Sequence, residues 1–352
     1  MIHYKRGGRW QFINLFHLTG SVFPASFAVA MPCAVMAGLL DHYDVIDEPC
    51  LTDETAWSGF TFLVGFLIIF RTRIAYKRFW AGCTAAFLMR AEWIDAASAI
   101  VAFCRYSVAP EEEITRFKHL VVRLFSALHL MALAEIEECE NLDQVLAFAL
   151  ELIDPCGIDA KTWQILKSVD RKGTLVFTWL QTVIVENIST GVLSIPPPIL
   201  SRIYQEMANG MVQLHEAQKI TTVLFPFPYA QTCDALLVMH WMITPVVTTQ
   251  WSANILVTVV FTFIQVFILW SLNNIAVEIE IPFGDDDNDL NAAAMQLDMN
   301  TNLLLLLHPN TTRAPSLSET AIIDGLWRAS LFGTKAATFN EATLAAIDSE
   351  GQ

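Results

Sequence analysis

Three phenylalanines, Phe62, Phe66 and Phe70, recur at every fourth position in FTFLVGFLIIFRTRIAYKRFW, residues 60–80. On a helix, steps of four advance by only about 40° each, so the rings form one slowly drifting column. Repeated around a symmetry axis, that column becomes a stack of apolar constrictions able to gate by dewetting. Phenyl edges carry the positive part of the aromatic quadrupole, so edges turned inward favour a partly dehydrated anion over a cation. Packed against lipid or a neighbouring helix, the same column does no chemistry, and the residues alone leave both readings open. Gly65, beside the column, lets a neighbouring helix come close.

Two charged groups accompany it. Arg71, Arg73, Lys77 and Arg78 follow directly. They read either as a ring that attracts anions or as markers of the membrane boundary paired with carboxylates. Further on, GDDDNDL (284–290) concentrates Asp285, Asp286, Asp287 and Asp289. Carboxylates before a helix can cap its N-terminus by charge and hydrogen bonding. Closely spaced hard oxygens on a loop also suit Ca²⁺, with backbone carbonyls completing six or so ligands. The spacing is not that of an EF-hand, which needs a glutamate at position twelve.

The elements that must hold these groups are helical and membrane-bound. Charged residues make up only 16% of the 352-residue chain and mean hydropathy is positive. Four stretches approach the roughly 20 apolar residues that cross a bilayer: 22–40, 58–79, 233–247 and 252–272. The third is short and carries His240 and Pro245, which suits a helix that is tilted or shielded by protein. The segment between the first two spans is acidic without Lys or Arg, whereas basic residues flank the start of the first and the end of the second. The positive-inside rule then puts both termini and the long middle region in the cytosol or an equivalent compartment such as a plastid stroma. The leader MIHYKRGGRWQFINLF lacks a clear cleavage site and is expected to lie on the membrane surface, anchored by Trp10 and Phe12.

Between the second and third spans the pattern is helical. PEEEITRFKHLVVRLFSALHLMALAEIEE opens with three glutamates, as the helix dipole favours, and repeats its apolar residues at the helical period. Further helices are expected over 141–152, 159–170, 174–187 and 200–220, the last preceded by the break IPPPI. An amphipathic segment lies around 299–307. The chain divides as 1–21 (amphipathic leader), 22–82 (two membrane helices with the column), 83–225 (cytosolic helices), 226–275 (two membrane helices), 276–314 (acidic loop and helix) and 315–352 (tail). The seven cysteines show neither zinc spacing nor a disulfide framework. No HExxH, phosphate loop or GxSxG is present, so an enzyme is the least expected class.

Three motifs carry a family resemblance. FLVGFLIIFRTRIAYKRFW resembles the second membrane helix of bestrophins and their bacterial homologues. FPFPYAQ (225–231) resembles that family's lead-in to its third membrane helix, in a form similar to algal and plant members. EIEIPFGDDDNDL (278–290) is similar to its E-x-x-x-PFG-x-x-x-x-D signature. The resemblance implies an all-α membrane protein with four transmembrane helices per subunit and a cytosolic helical region, assembled as a homo-pentamer around one central pore. It implies a channel for chloride and other small anions, bicarbonate included, with membrane lipid and further copies of the chain as its partners and no role for nucleic acid. It places the neck at Phe62, Phe66 and Phe70 and a second, cytosolic aperture at Ile199, within PPPILSR. By similarity to animal bestrophins it places Ca²⁺ ligands at Asp286 and Asp289, with the Ile281 carbonyl and Glu278 beside them. No step of conduction requires a cofactor. The plasma membrane and the plastid thylakoid both fit. The alternative is a non-conducting membrane scaffold that binds partners through its cytosolic helices and tail.

Overall fold

Helix α1, Phe23–His42, starts with a proline in its first turn, where no amide partner is lost. It belongs to a computed structural model that describes residues 16–46, 54–137, 150–251, 254–284 and 286–318. Most of the leader and most of the tail therefore lie outside the described residues, as do Asp285 and residues 141–149 of one expected helix. No strand occurs among the described residues.

Helix α2 runs unbroken from Glu54 to Phe103. Its 50 residues extend roughly 75 Å at about 1.5 Å per residue, more than twice the roughly 30 Å hydrocarbon core of a bilayer. The expected division after residue 82 therefore falls inside one continuous rod. The membrane part and the extramembrane part share a helix because Ala-rich sequence without proline follows the basic residues, so the hydrogen-bond ladder continues to Phe103 before tightening into the 3-10 turn Cys104–Tyr106 ahead of Pro110.

The extramembrane helices are α3 (Glu111–Glu137), α4 (Ala160–Ser168), α5 (Lys172–Ser189), α6 (Pro197–Thr222) and α9 (Ala292–Leu307); α3, α6 and α9 pack directly on α2, α5 packs on α3, and α4 packs on α5. Helix α3 is long and apolar enough to cross a membrane, but 72% of its apolar window is buried inside the protein, against 28% or less in α1, α2 and α8. It is the central helix of a core that includes Trp93, Phe125, Leu128, Leu180, Ile184, Ile203 and Met299. Between α3 and α9, Ser126, His129, Gln296 and Asn300 form a buried polar cluster, with His129 Nδ1 2.7 Å from Gln296 Oε1 and Ser126 Oγ donating to Asn300 Oδ1 at 2.7 Å. Burial pushes the His129 imidazole down to about 4, so it stays neutral near pH 7.

Helices α2 and α6 run antiparallel. Arg78 lies level with Ile220 and Val223, and Trp93 with Met207 and Gly210. A Cβ at Gly210 would sit 2.2 Å from Trp93 Nε1, and that ring is fully buried. Gly210→Ala is therefore expected to cost about 2 kcal/mol through overpacking. Thermal denaturation of the purified protein checks this; an unchanged midpoint would show that α2 and α6 can part freely.

The remaining membrane helices are α7 (Phe227–Trp251) and α8 (Ile255–Glu278). Helix α1 packs on both, and α2 packs on both as well. Helix α7 is longer than its apolar stretch suggested and carries Pro245 inside it. The Trp241 carbonyl, left without its amide partner by that proline, accepts from the Cys33 thiol at 3.3 Å, while the Trp241 indole donates to the Val29 carbonyl at 3.0 Å. Thr248 of α7 meets Thr262 of α8 at 2.7 Å, and Asn274 of α8 donates to Ser26 of α1 at 3.0 Å. Such interhelical bonds satisfy polar groups where water is absent. His240 is fully buried, stacked on Trp57 at 5.1 Å.

The chain divides after His308. In the second unit the described part is the short helix α10, Pro309–Thr312, followed by irregular chain to Ser318.

Candidate pore column and acidic cleft

The phenylalanine column occupies an exposed side of α2. Phe62, Phe66 and Phe70 are 70%, 56% and 42% exposed within the chain, whereas Val64, Ile68, Ala75 and Phe79 on the other side are buried. Phe62 and Phe66 stack with centroids 6.4 Å apart, and Phe70 lies 5.8 Å from Tyr229 of α7. A Cβ at Gly65 would meet Leu269 at 4.0 Å, an ordinary contact, so packing within the chain does not demand glycine there.

Behind the column, the three sequence motifs converge on Arg71. Its side chain is buried, pairs with Asp234 at 3.2 Å, donates to Asn273 Oδ1 at 2.9 Å, and lies over the Phe225 ring at 5.7 Å. Phe225 is the first residue of FPFPYAQ. Its amide donates to Glu280 Oε1 at 2.9 Å, within the third motif, and Tyr229 packs edge-on against its ring and donates to the Leu67 carbonyl at 3.3 Å. Arg78 ties the same level together, donating to the carbonyls of Val223 and Ile220 at 2.8 and 2.7 Å, and to that of Glu280 at 3.3 Å. Those carbonyls at the end of α6 would otherwise lack partners.

The PFG segment sits against α2 because residue 82 has no side chain: a Cβ there would lie 2.5 Å from Pro282 and 3.1 Å from Phe283. Gly284 has φ +153, a conformation only glycine adopts readily, and a Cβ on it would lie 2.8 Å from Asp289 Oδ2. Asp289 is buried and accepts from the Asp286 amide at 3.0 Å, closing a turn in which the Asp289 amide donates to the Asp286 carbonyl at 2.9 Å. Asn288 bridges Glu278 Oε1 (3.0 Å) and the Gly20 carbonyl (2.8 Å). The side chain that caps α9 is Asn291, accepting from the Ala294 amide at 2.9 Å, so none of the described aspartates, Asp286, Asp287 and Asp289, is its hydrogen-bonding cap.

Glu278, Ile281, Asp286 and Asp289, all singled out from sequence, line one open cleft of about 550 Å³ that Arg71 also lines. Burial, with the nearby Asp286 and Glu278 carboxylates adding to it, pushes the Asp289 carboxyl up to about 6. Among the described residues no three Asp, Glu, His or Cys side chains are grouped closely enough to hold a metal. A hard cation in this cleft would need main-chain oxygens to complete its shell.

Ile199 lies elsewhere, exposed in the first turn of α6. Extrapolating the antiparallel register of α2 and α6 puts it level with the distal end of α2, roughly 45 Å along the axis from Phe70.

Sequence reasoning did not identify Asp234 and Asn273 as the partners of Arg71. The available signal was polarity: each stands in a membrane helix, where an ionisable or amide side chain needs a partner.

Comparisons with known proteins agree with this architecture. The family model described as Bacterial/Fungal Bestrophin protein matches residues 1–305. A voltage-dependent anion channel-forming protein of Nostoc sp. is 26% identical over 316 residues, covering 87% of this chain and 95% of the relative. A protein of the same description from Synechocystis sp. is 24% identical over 312 residues, covering 84% and 88%. The crystal structure of a bacterial bestrophin homologue from Klebsiella pneumoniae matches with a TM-score of 0.64 at 14% identity, over 82% of this chain and 98% of that one.

Proposed function

The chain belongs to the bacterial and fungal bestrophin family, an integral membrane protein, and on that premise we propose that it is a passive anion channel, not an enzyme, working as a homo-pentamer. The observation that carries this reading is the exposed phenylalanine column on the side of α2 opposite its packed face. Five copies around an axis turn Phe62, Phe66 and Phe70 into three rings of a neck. Chloride and anions of similar size, bicarbonate among them, cross it by shedding part of their hydration, with wider polar vestibules on either side. Ile199 forms a second, cytosolic aperture at the far end of the pore, a placement its exposure and its distance from the neck support. The relatives named as anion channel-forming support the choice of ion.

The test is reconstitution of the full chain in planar bilayers. Anion currents are expected from particles whose cross-linked mass is that of five chains. Monomers or dimers, or no anion flux across a range of voltage and Ca²⁺, would sink the reading.

The acidic cleft fits Ca²⁺ as a modulator held by Asp286 and Asp289 with main-chain oxygens, that of Ile281 among them, and with Glu278 nearby. Asp289 gives this a thermodynamic signature. Its carboxyl holds a proton more tightly in the folded protein than in the unfolded chain, so stability falls as pH rises from about 4 through about 6. A cation that binds the ionised carboxylate offsets this. At pH 7.5, Ca²⁺ is expected to raise the melting temperature over an EDTA control by a few degrees, and by less at pH 5. Asp289→Asn should abolish the Ca²⁺ shift without lowering stability in EDTA at pH 7.5. An undiminished shift in that variant would remove Asp289 from the site.

A further inference from the structure

The four basic residues after the column are divided by the helix into two pairs. At roughly 100° per residue, Arg71 and Arg78 fall roughly 180° and 160° from Phe62, on the side shared by Val64, Ile68 and Ala75. Both are engaged within the chain, Arg71 with Asp234 and Asn273, Arg78 with backbone carbonyls. Arg73 and Lys77 fall roughly 20° and 60° from Phe62, inside the arc of roughly 80° swept by the three phenylalanines. Both are exposed, and neither pairs with a carboxylate among the described residues.

We propose that Arg73 and Lys77 continue the pore face and select for charge: two rings of cations, immediately past Phe70 on the side where α2 leaves the membrane, concentrate anions at the neck and repel cations. The inference rests on the pore reading above and adds to it the residues that set the sign of the permeant ion.

The division of labour follows from the chemistry. Phenyl rings carry no net charge, so an apolar neck taxes dehydration of either sign, and the quadrupole supplies only a modest bias. Discrimination by sign requires fixed charge near the constriction. The two rings lie roughly 4.5 and 10 Å beyond Phe70 along the axis, the nearer inside and the farther just past the screening length at physiological salt, which is about 8 Å. Along α2 no opposing charge intervenes, since from Thr55 to Ala91 it contains no Asp or Glu, and the carboxylate at this level on α7, Asp234, is paired with Arg71 on the other side of the helix. The next acid on this arc, Asp95, lies roughly 27 Å past Lys77, about three screening lengths away, so its field is largely screened there. A chain of net charge −15 can thus present a positive field where ions pass, because its acids lie elsewhere.

The experiment measures reversal potential in a KCl gradient across bilayers holding the full-length channel. Arg73→Gln with Lys77→Gln is expected to lower the chloride-over-potassium permeability ratio by about threefold or more. Its conductance should also fall at low salt, with the deficit vanishing at roughly 1 M, where the screening length is about 3 Å. Arg73→Glu with Lys77→Glu should carry the reversal potential across zero. Should the glutamate pair fail to assemble, the glutamine pair decides. In parallel, Phe66→Cys is treated with an anionic thiol reagent. Current altered at Phe66→Cys, together with selectivity unchanged in the paired variants, overturns the charge proposal and leaves the pore standing. A conducting Phe66→Cys channel indifferent to the reagent, while the unsubstituted protein is equally indifferent, overturns the pore reading and this inference with it.

Discussion

Replacing Phe66 with alanine is expected to raise single-channel anion conductance on the order of tenfold, equivalent to lowering the barrier by about 1.4 kcal/mol. Phe66 is the middle of the three rings, so its truncation removes five phenyl groups from the centre of the proposed neck and admits water where an apolar throat had excluded it. The substitution is clean because the ring is more than half exposed within the chain and, among the described residues, its one ring partner is Phe62, at 6.4 Å. Folding of the subunit should survive. Phe70→Ala is a poorer probe, since that ring also packs on Tyr229. Discrimination among anions by hydration energy should weaken in parallel, because a wetted neck no longer demands dehydration. A Phe66→Ala channel with unaltered conductance and unaltered anion preference would mean that the column faces lipid or a neighbouring helix.

Helix identity was legible because period and breakers coincide. The three glutamates of α3, the proline run that opens α6 and the apolar runs of α1 and α8 each mark an element found in the structure. Where α2 ends was not legible. Arg71 to Arg78 read in the sequence as the edge of the bilayer, and an edge of lipid is not an edge of helix when good helix formers follow. Helix α7 appeared short because much of it faces other helices: His240, Thr244 and Thr248 are buried in protein, so it has less need of apolar side chains than a lipid-exposed span. The acidic run could be read as cap or as ligand set, and only coordinates assign the cap to Asn291.

The four basic residues show the limit most clearly. Sequence offered two roles for one group, and the structure divides the group, with Arg71 on a carboxylate, Arg78 on backbone carbonyls, and Arg73 and Lys77 exposed. Helical phase carries that division in principle. What it lacks is the partners of the buried pair, which lie 142 to 202 residues away in sequence.

Those partners make a second large effect predictable, and an asymmetric one. The Arg71 side chain is 7% exposed and that of Asp234 59%. Among the described residues, Asp234→Ala leaves a buried guanidinium with Asn273 Oδ1 and the Phe225 face as its remaining partners, and its Nε already lacks one there. Removing one member of a buried pair costs about 3–5 kcal/mol; with Asp234 half in solvent, about 3 kcal/mol is expected. That corresponds to a melting temperature lower by roughly 5 °C or more for a chain of this size. Arg71→Met should cost less, about 1 kcal/mol, because it leaves Asp234 hydrated and only Asn273 short of a bond. Combining the two should cost little more than Arg71→Met alone, since without the guanidinium there is nothing for the carboxylate to neutralise. Denaturation of the four purified proteins closes the cycle. Equal costs for the two single variants would mean that Arg71 is reached by water through the cleft it lines. Its charge would then be screened there, and the join between the phenylalanine column and the acidic loop would be held by packing at Gly82 and Phe225 instead of by the ion pair.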